Sequence, residues 1–193
     1  MMVEINCFHT CRNRGNKDEI IQKIPFLSNK DSTQWLGQGY YLWTDSIYFA
    51  NDWGNSHYHS DYVINQFEVN VPKDLYWDLV GNVQHQLEFL EKKDQFYMLI
   101  DELIARSSIK NQPKFKLLRN RPITVATLFW LLRTLRKLTY KVVKASDISS
   151  NRTVEISFNN SDANECIFLP TRQQIVVYPE ARSMLKHIAW VHP

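Results

Sequence analysis

The sequence predicts an α+β domain, with strands at both ends of the chain around a helical middle. Three observations carry this. Apolar residues alternate in VEINCFHTC (Val3–Cys11) near the start, the period of a strand with two unlike faces, and strand-like runs ending in QQIVVY (Gln173–Tyr178) return near the end. Apolar residues instead recur every three or four positions from Val83 to Ile104 and from Thr124 to Leu138, the period of helices. A chain of 193 residues, 44% of them hydrophobic, can bury one real core but would be cramped as two domains. The expectation is therefore a single domain over 1–193 with a helical insertion at about 76–138.

After the first strand, Lys17–Ile24 is polar and helical in spacing, and Pro25 ends it. A loop rich in Ser, Asn and Asp leads to WLGQGYYLWTD (Trp35–Asp45), where two of the chain's five glycines, Gly37 and Gly39, precede the strand YYLWT. Glycine weakens a strand, so a pair at its entrance signals a close approach to the backbone, by a ligand or by a turn feeding a buried aromatic strand. Asp45 or Ser46 can then cap a short helix with Ile47, Ala50 and Trp53 on related faces. DYVINQFEVNV alternates as a strand, and Pro72 stops it. In the second middle helix, Leu128, Leu131 or Leu132, Leu135 and Leu138 fall on one side and Arg133, Arg136 and Lys137 off it. Strands return as YKVVKA, RTVEISFN, ECIFL and QQIVVY, and a last helix is expected from about Glu180 to His187. There are no repeats and no low-complexity segment.

Composition narrows the function classes. No run of eighteen apolar residues suggests a membrane span, and the N-terminus lacks a basic region followed by an apolar stretch. The expected location is the cytoplasm, or a host cytoplasm reached without an N-terminal signal. Cys7, Cys11 and Cys166 are odd in number, which fits a reducing compartment better than a disulfide framework. Cys7, His9 and Cys11 share a face at strand spacing, with His57 and His59 as possible further ligands. That spacing is not that of zinc knuckles, and no metal is expected. Net charge is only +3, but Leu103–Ser146 contains no Asp or Glu and carries a run of cations from Arg106 to Lys144. This segment is a possible contact for nucleic acid or an acidic protein, or else the solvated face of its helices.

The pieces FHT (Phe8–Thr10), GQGYYLWTDSIYFAND (Gly37–Asp52) and QQIVVY, in that order, resemble the ADP-ribosyltransferase fold. The resemblance is to its diphtheria-toxin and poly(ADP-ribose) polymerase branch. It spans both ends of the chain and leaves Tyr62–Arg172 unmatched. That branch carries a His on the first strand, a Gly-x-Gly-x-Tyr segment leading to a small-residue helix, and a Glu opening a late strand. His9, Tyr41 and Gln174 fall on those three positions, and Ala50 and Asn51 on the small helical ones. The resemblance implies a split mixed or antiparallel sheet, NAD as cofactor, and His9, Tyr41 and Gln174 as catalytic residues. It also implies NAD contacts from His9, Thr10, Gly39, Tyr41, Tyr48 and Trp53. Nicotinamide joined to ribose is a flat cation, which Tyr41 can stack upon with Tyr48 or Trp53 as second walls. Gly37 and Gly39 let the chain pass close to the dinucleotide, and His9 can hydrogen-bond a ribose hydroxyl.

Two positions depart from the pattern. Thr10 stands where the family usually has glycine. Gln174 stands where it has the glutamate that stabilises charge on the ribose, and an amide can hold a hydroxyl but carries no charge. Glu165 is the second candidate for that carboxylate. The resemblance with glutamine implies mono-ADP-ribosyl transfer to a protein or nucleic-acid acceptor, as in a bacterial or phage toxin or effector. The alternative is an inactive module binding NAD, ADP-ribose or nucleic acid. The RNA 2′-phosphotransferases, which share the fold, are a third relative.

Overall fold

The computed structural model describes residues 1–29, 34–147, 154–157, 166–169 and 171–192. Along the chain run β1 (Met2–Arg12), α1 (Lys17–Lys23), β2 (Tyr40–Thr44), α2 (Tyr48–Tyr58), β3 (Tyr62–Pro72) and β4 (Tyr76–Asp78). There follow α3 (Val83–Asp94), α4 (Phe96–Arg106), α5 (Gln112–Leu118), α6 (Val125–Thr134), β5 (Val142–Asp147), β6 (Val154–Ser157), β7 (Cys166–Leu169), β8 (Arg172–Val177) and β9 (Leu185–His192). Seven strands make one sheet in the order β4-β5-β8-β2-β1-β3-β9, and β6 and β7 form a separate ribbon. The β4–β5 pair is parallel and the other neighbours are antiparallel, so the class is α+β with a mixed sheet.

Side-chain alternation gives the sheet two apolar faces. One packs Cys7, Leu42, Phe67, Val69, Ile175 and Val177 against Ile20 and Ile24 of the first helical segment. The other is covered in two parts. Trp77, Val143, Val176 and Tyr178 meet Phe129 of α6, and Trp43, Tyr62 and Ile64 meet Phe49 and Ala50 of α2. α2 lies close because Gly54 has no Cβ, which would collide with the Tyr62 ring. The segment α3–α6 builds a core of its own from Phe96, Leu99, Ile100, Leu103, Leu128, Leu131 and Leu132. Polar side chains start the helices: Asn16, Asn82 and Thr124 accept from the backbone N–H of Glu19, His85 and Thr127 at 2.9, 3.2 and 3.1 Å.

Four expectations need correction. The helix expected over Val83–Ile104 is broken at Gln95, because α3 buries no residue while α4 buries Phe96, Leu99, Ile100 and Leu103, so each half must present its own face. The insertion expected from 76 starts later, since Tyr76–Asp78 is a strand of the main sheet and the helices occupy Val83–Thr134. The last helix is a 3₁₀ turn over Pro179–Met184 followed by β9, which pairs along the outer edge of β3 and so satisfies backbone groups that a helix there would leave open. Neither Asp45 nor Ser46 is the cap of α2, which begins after Ile47, although Ser46 Oγ accepts from Tyr48 N at 3.1 Å. Glu165 and the outer parts of RTVEISFN lie outside the described residues.

The sheet narrows in the middle. β1 pairs with β3 along its whole length, from Met2 opposite Pro72 to Arg12 opposite Tyr62. It pairs with β2 only through Cys7 opposite Thr44 and Phe8 opposite Trp43. Past Phe8 the two strands have no further pairing, and a cleft opens there.

Candidate functional site

Where backbone pairing of β1 and β2 stops, the Tyr41 carbonyl loses a strand partner, and His9 supplies one. Its Nδ1 lies 3.2 Å from Tyr41 O, and its Nε2 accepts from Phe26 N at 3.2 Å. A carbonyl only accepts and an amide N–H only donates, so the ring is neutral with its proton on Nδ1. Burial lowers its pKa to about 4, against the upward pull of the Tyr41 carbonyl. Both ring nitrogens are thus engaged, which corrects the expectation that His9 offers one to a ribose hydroxyl. His9 is a strut between the two halves of the sheet.

The segment after α1 fills the same gap. Ser28 N donates to Gly39 O and Gly39 N donates to Ser28 Oγ, both at 3.0 Å. Gly39 itself is pressed against β8: a Cβ there would come within 2.9 Å of Val177 O and would overlap the Val176 side chain. The close approach signalled by Gly39 is therefore to a neighbouring strand, and Gly39 does not line the cleft. Gly37 has φ +86° and turns the chain. Tyr41 fixes that turn, its hydroxyl donating to Gly37 O at 2.7 Å and accepting from Leu36 N at 3.0 Å. Burial raises the pKa of this phenol, which keeps it a donor.

These constraints leave a cleft of about 460 Å³ over the gap. His9 and Thr10 of β1, Tyr41 of β2, Trp53 of α2 and Gln174 of β8 all line it. Thr10 is held by donating through Oγ1 to Ala50 O at 2.9 Å, which ties α2 to β1. Tyr48 does not belong here: it is 53% exposed at the start of α2, edge-on to Phe49.

Gln174 sits opposite Trp43 in the β2–β8 register. Trp35 Nε1 donates to its Oε1 at 3.0 Å. Indole nitrogen is a donor only, so the amide oxygen must face Trp35, and the amide NH2 has no protein partner among the described residues. The side chain is oriented, with a donor to spare.

Sequence reasoning named Trp53 but missed Trp35, Trp43 and Arg172 among the lining residues. Trp35, within the glycine segment, orients Gln174. Trp43 and Trp53 form an aromatic wall with ring centroids 5.9 Å apart, and Trp53 stacks on His57 at 3.4 Å. Arg172 lines the cleft with its guanidinium carbon 5.7 Å from the Trp43 ring centroid. The signal for Arg172 was available, since it lies two positions from Gln174 on one strand and period-two geometry puts both on one face. Among the described lining residues there is no Asp or Glu. The cleft therefore combines aromatic walls, a cation and an oriented amide, which suits a flat, anionic ligand. No group of three His, Cys, Asp or Glu among the described residues is arranged around a metal, and burial raises the Cys7 and Cys11 thiols to about 12. No helix among the described residues is long and apolar enough to cross a membrane.

Comparison of the chain with protein-family models, with curated proteins and with solved structures returned no match.

Proposed function

We propose that the chain is an NAD-dependent mono-ADP-ribosyltransferase of the toxin or effector kind, with the cleft as its NAD site. One observation carries the reading: His9, Tyr41 and Gln174, far apart in sequence and drawn from three strands, line the same cleft. The half-buried Tyr41 ring is the platform for nicotinamide, and the Trp43–Trp53 wall faces the rest of the dinucleotide. Arg172 is the cation for its diphosphate. The free amide hydrogens of Gln174 hold a ribose hydroxyl while the bond from ribose C1 to the nicotinamide nitrogen breaks. Nicotinamide leaves neutral with the bonding pair, and positive charge develops on the ribose. His9 acts at one remove, by fixing Tyr41 and Phe26. With no carboxylate among the described lining residues, catalysis rests on orientation rather than on charge stabilisation, which predicts slow turnover.

The absence of a carboxylate among the described lining residues favours one second reading, a module that binds NAD or ADP-ribose without breaking it. Nicotinamide release and mass-spectrometric detection of ADP-ribose in lysate separate the two. Wild type should label an acceptor, and Gln174→Ala should cut labelling about tenfold or more, the effect of losing roughly 1.4 kcal/mol of transition-state positioning. Gln174→Glu can keep the Trp35 hydrogen bond through one oxygen and put negative charge beside the ribose, so it should match or exceed wild type in NAD hydrolysis. Binding without release in all three proteins would select the module. No binding of either NAD or ADP-ribose at millimolar concentration would end both readings.

A further inference from the structure

A second cavity of about 740 Å³ lies beside the cleft, between α5, α6 and the turn at Gln34–Gln38. We propose that this groove binds a single-stranded nucleic acid, which on the reading above is the acceptor of ADP-ribose. Lys114, Arg121 and Arg133 line the groove together with Phe115 and Trp130, and no Asp or Glu is among its described lining residues. Arg133 is anchored, its guanidinium 3.4 Å from Glu180 and its central carbon 3.8 Å from the Tyr178 ring centroid. The Lys114 and Arg121 side chains have no hydrogen-bond or ion-pair partner among the described residues, and both residues are exposed. Trp130 is 41% exposed beside them, with Phe115 at 6.2 Å between ring centroids.

Unpaired cations alone would fit any anionic surface. An open indole between them favours bases, because every base has a flat face to stack while an acidic peptide needs no ring. The strand must be single, since bases in a duplex are stacked on each other and cannot enter a concave groove. The simple alternative, a solvated helix face, normally mixes acids with bases. Elsewhere on this basic stretch Arg106 and Lys137 pair with Glu102 and Arg119 with Asp101, whereas Lys114 and Arg121 in the groove have no such acid beside them among the described residues.

The groove is also joined to the cleft. Gln34 lines both cavities, Gly37 N donates to Gln34 O at 3.0 Å to close the turn, and Tyr41 holds that turn from the cleft side. A strand on α5 and α6 therefore lies one turn of chain away from the ribose. In the transfer, a nucleophilic oxygen or nitrogen of the strand bonds to ribose C1 as the bond to nicotinamide breaks. Nicotinamide departs with the bonding pair and the acceptor's proton passes to solvent.

The test is fluorescence anisotropy of labelled single-stranded RNA and DNA of about twelve nucleotides, without NAD, across a salt series from about 50 to 200 mM. Wild type should bind and lose affinity with salt. Lys114→Ala with Arg121→Ala, both exposed and outside the cores, should lower the slope of log K against log salt by about 1.4, the share of two phosphates. Trp130→Ala should weaken binding about tenfold. No saturable binding at low salt would overturn the proposal, as would binding unchanged in the double variant. Equal binding of polyglutamate with the same sensitivity would overturn it in favour of an acidic protein. NAD titration by calorimetry keeps the two readings apart. Oligonucleotide binding without NAD binding would remove the transferase and keep the groove, and the reverse would remove the groove alone.

Discussion

At the scale of single residues, His9 shows that a sequence pattern can pick out a residue that lines a cleft without revealing what its ring contacts. The pattern around FHT singled it out, but a sequence cannot show which atoms face its ring nitrogens, and here they face Tyr41 O and Phe26 N. The consequence is a pH dependence of stability. The folded-state pKa of about 4 lies below the ordinary 6.5, so the unfolded chain binds the proton more readily. Stability is complete above pH 6.5, falls as the pH drops, and levels off below pH 4. The full loss is about 3 kcal/mol at most. Urea midpoints at neutral and mildly acid pH should therefore differ more for wild type than for His9→Asn. His57 and His187, whose pKa values burial also lowers, remain in both proteins and drop out of the comparison. An equal drop in the two would remove His9 as the sensor. Gln174 was easier to read, because strand alternation alone puts it on a defined face. Its orientation by Trp35 spans 139 residues of chain and could not be read from sequence.

At the scale of elements, the turn Gln34–Gln38 and strand β2 were visible as a glycine pair before aromatics, with two physical reasons open. Gly39 resolves to backbone packing on β8, and Gly37 to a left-handed turn held by the Tyr41 hydroxyl. Gly39→Ala should cost about 1–3 kcal/mol, because Val177 O is fixed by the sheet and cannot retreat. An unchanged denaturant midpoint would refute the packing role. Tyr41→Phe keeps the ring but leaves Leu36 N without its acceptor and Gly37 O without its donor, at a cost of about 1–3 kcal/mol. NAD affinity should survive in that variant if the ring is the platform, and should fall in Tyr41→Ala. The long alternating strands β1 and β3 were legible because each exposes one unlike face over eleven residues. β4 has three residues, too few to show a period, and the turn before β9 starts at Pro179, a favoured first helical residue. Only pairing with β3 decides that Leu185–His192 is extended.

At the scale of the whole molecule, the sheet behaves as two parts, β4-β5-β8-β2 and β1-β3-β9, joined through Cys7–Thr44 and Phe8–Trp43. The core under one face crosses the seam, joining Cys7 and Phe67 of one part to Leu42 and Ile175 of the other, whereas past Phe8 the polar links across the seam come from His9 and the segment around Ser28. A ligand in the cleft touches both parts at once, since His9 and Thr10 belong to one and Tyr41 and Gln174 to the other. Such a ligand adds a bridge where the fold has fewest. NAD at about a hundred times its Kd should stabilise the native state by roughly 2.7 kcal/mol, as any ligand specific for the folded chain does. For a chain of 193 residues that is a Tm rise of roughly 5–10 °C. The rise alone does not locate the ligand, but hydrogen exchange does. NAD should slow exchange together in β1 beyond Phe8, in the segment around Ser28, and in β2, because opening the seam exposes all of them in one event. Protection confined to α5 and α6 would put the dinucleotide in the neighbouring groove, and protection of β2 without β1 would show that the ligand does not bridge the seam.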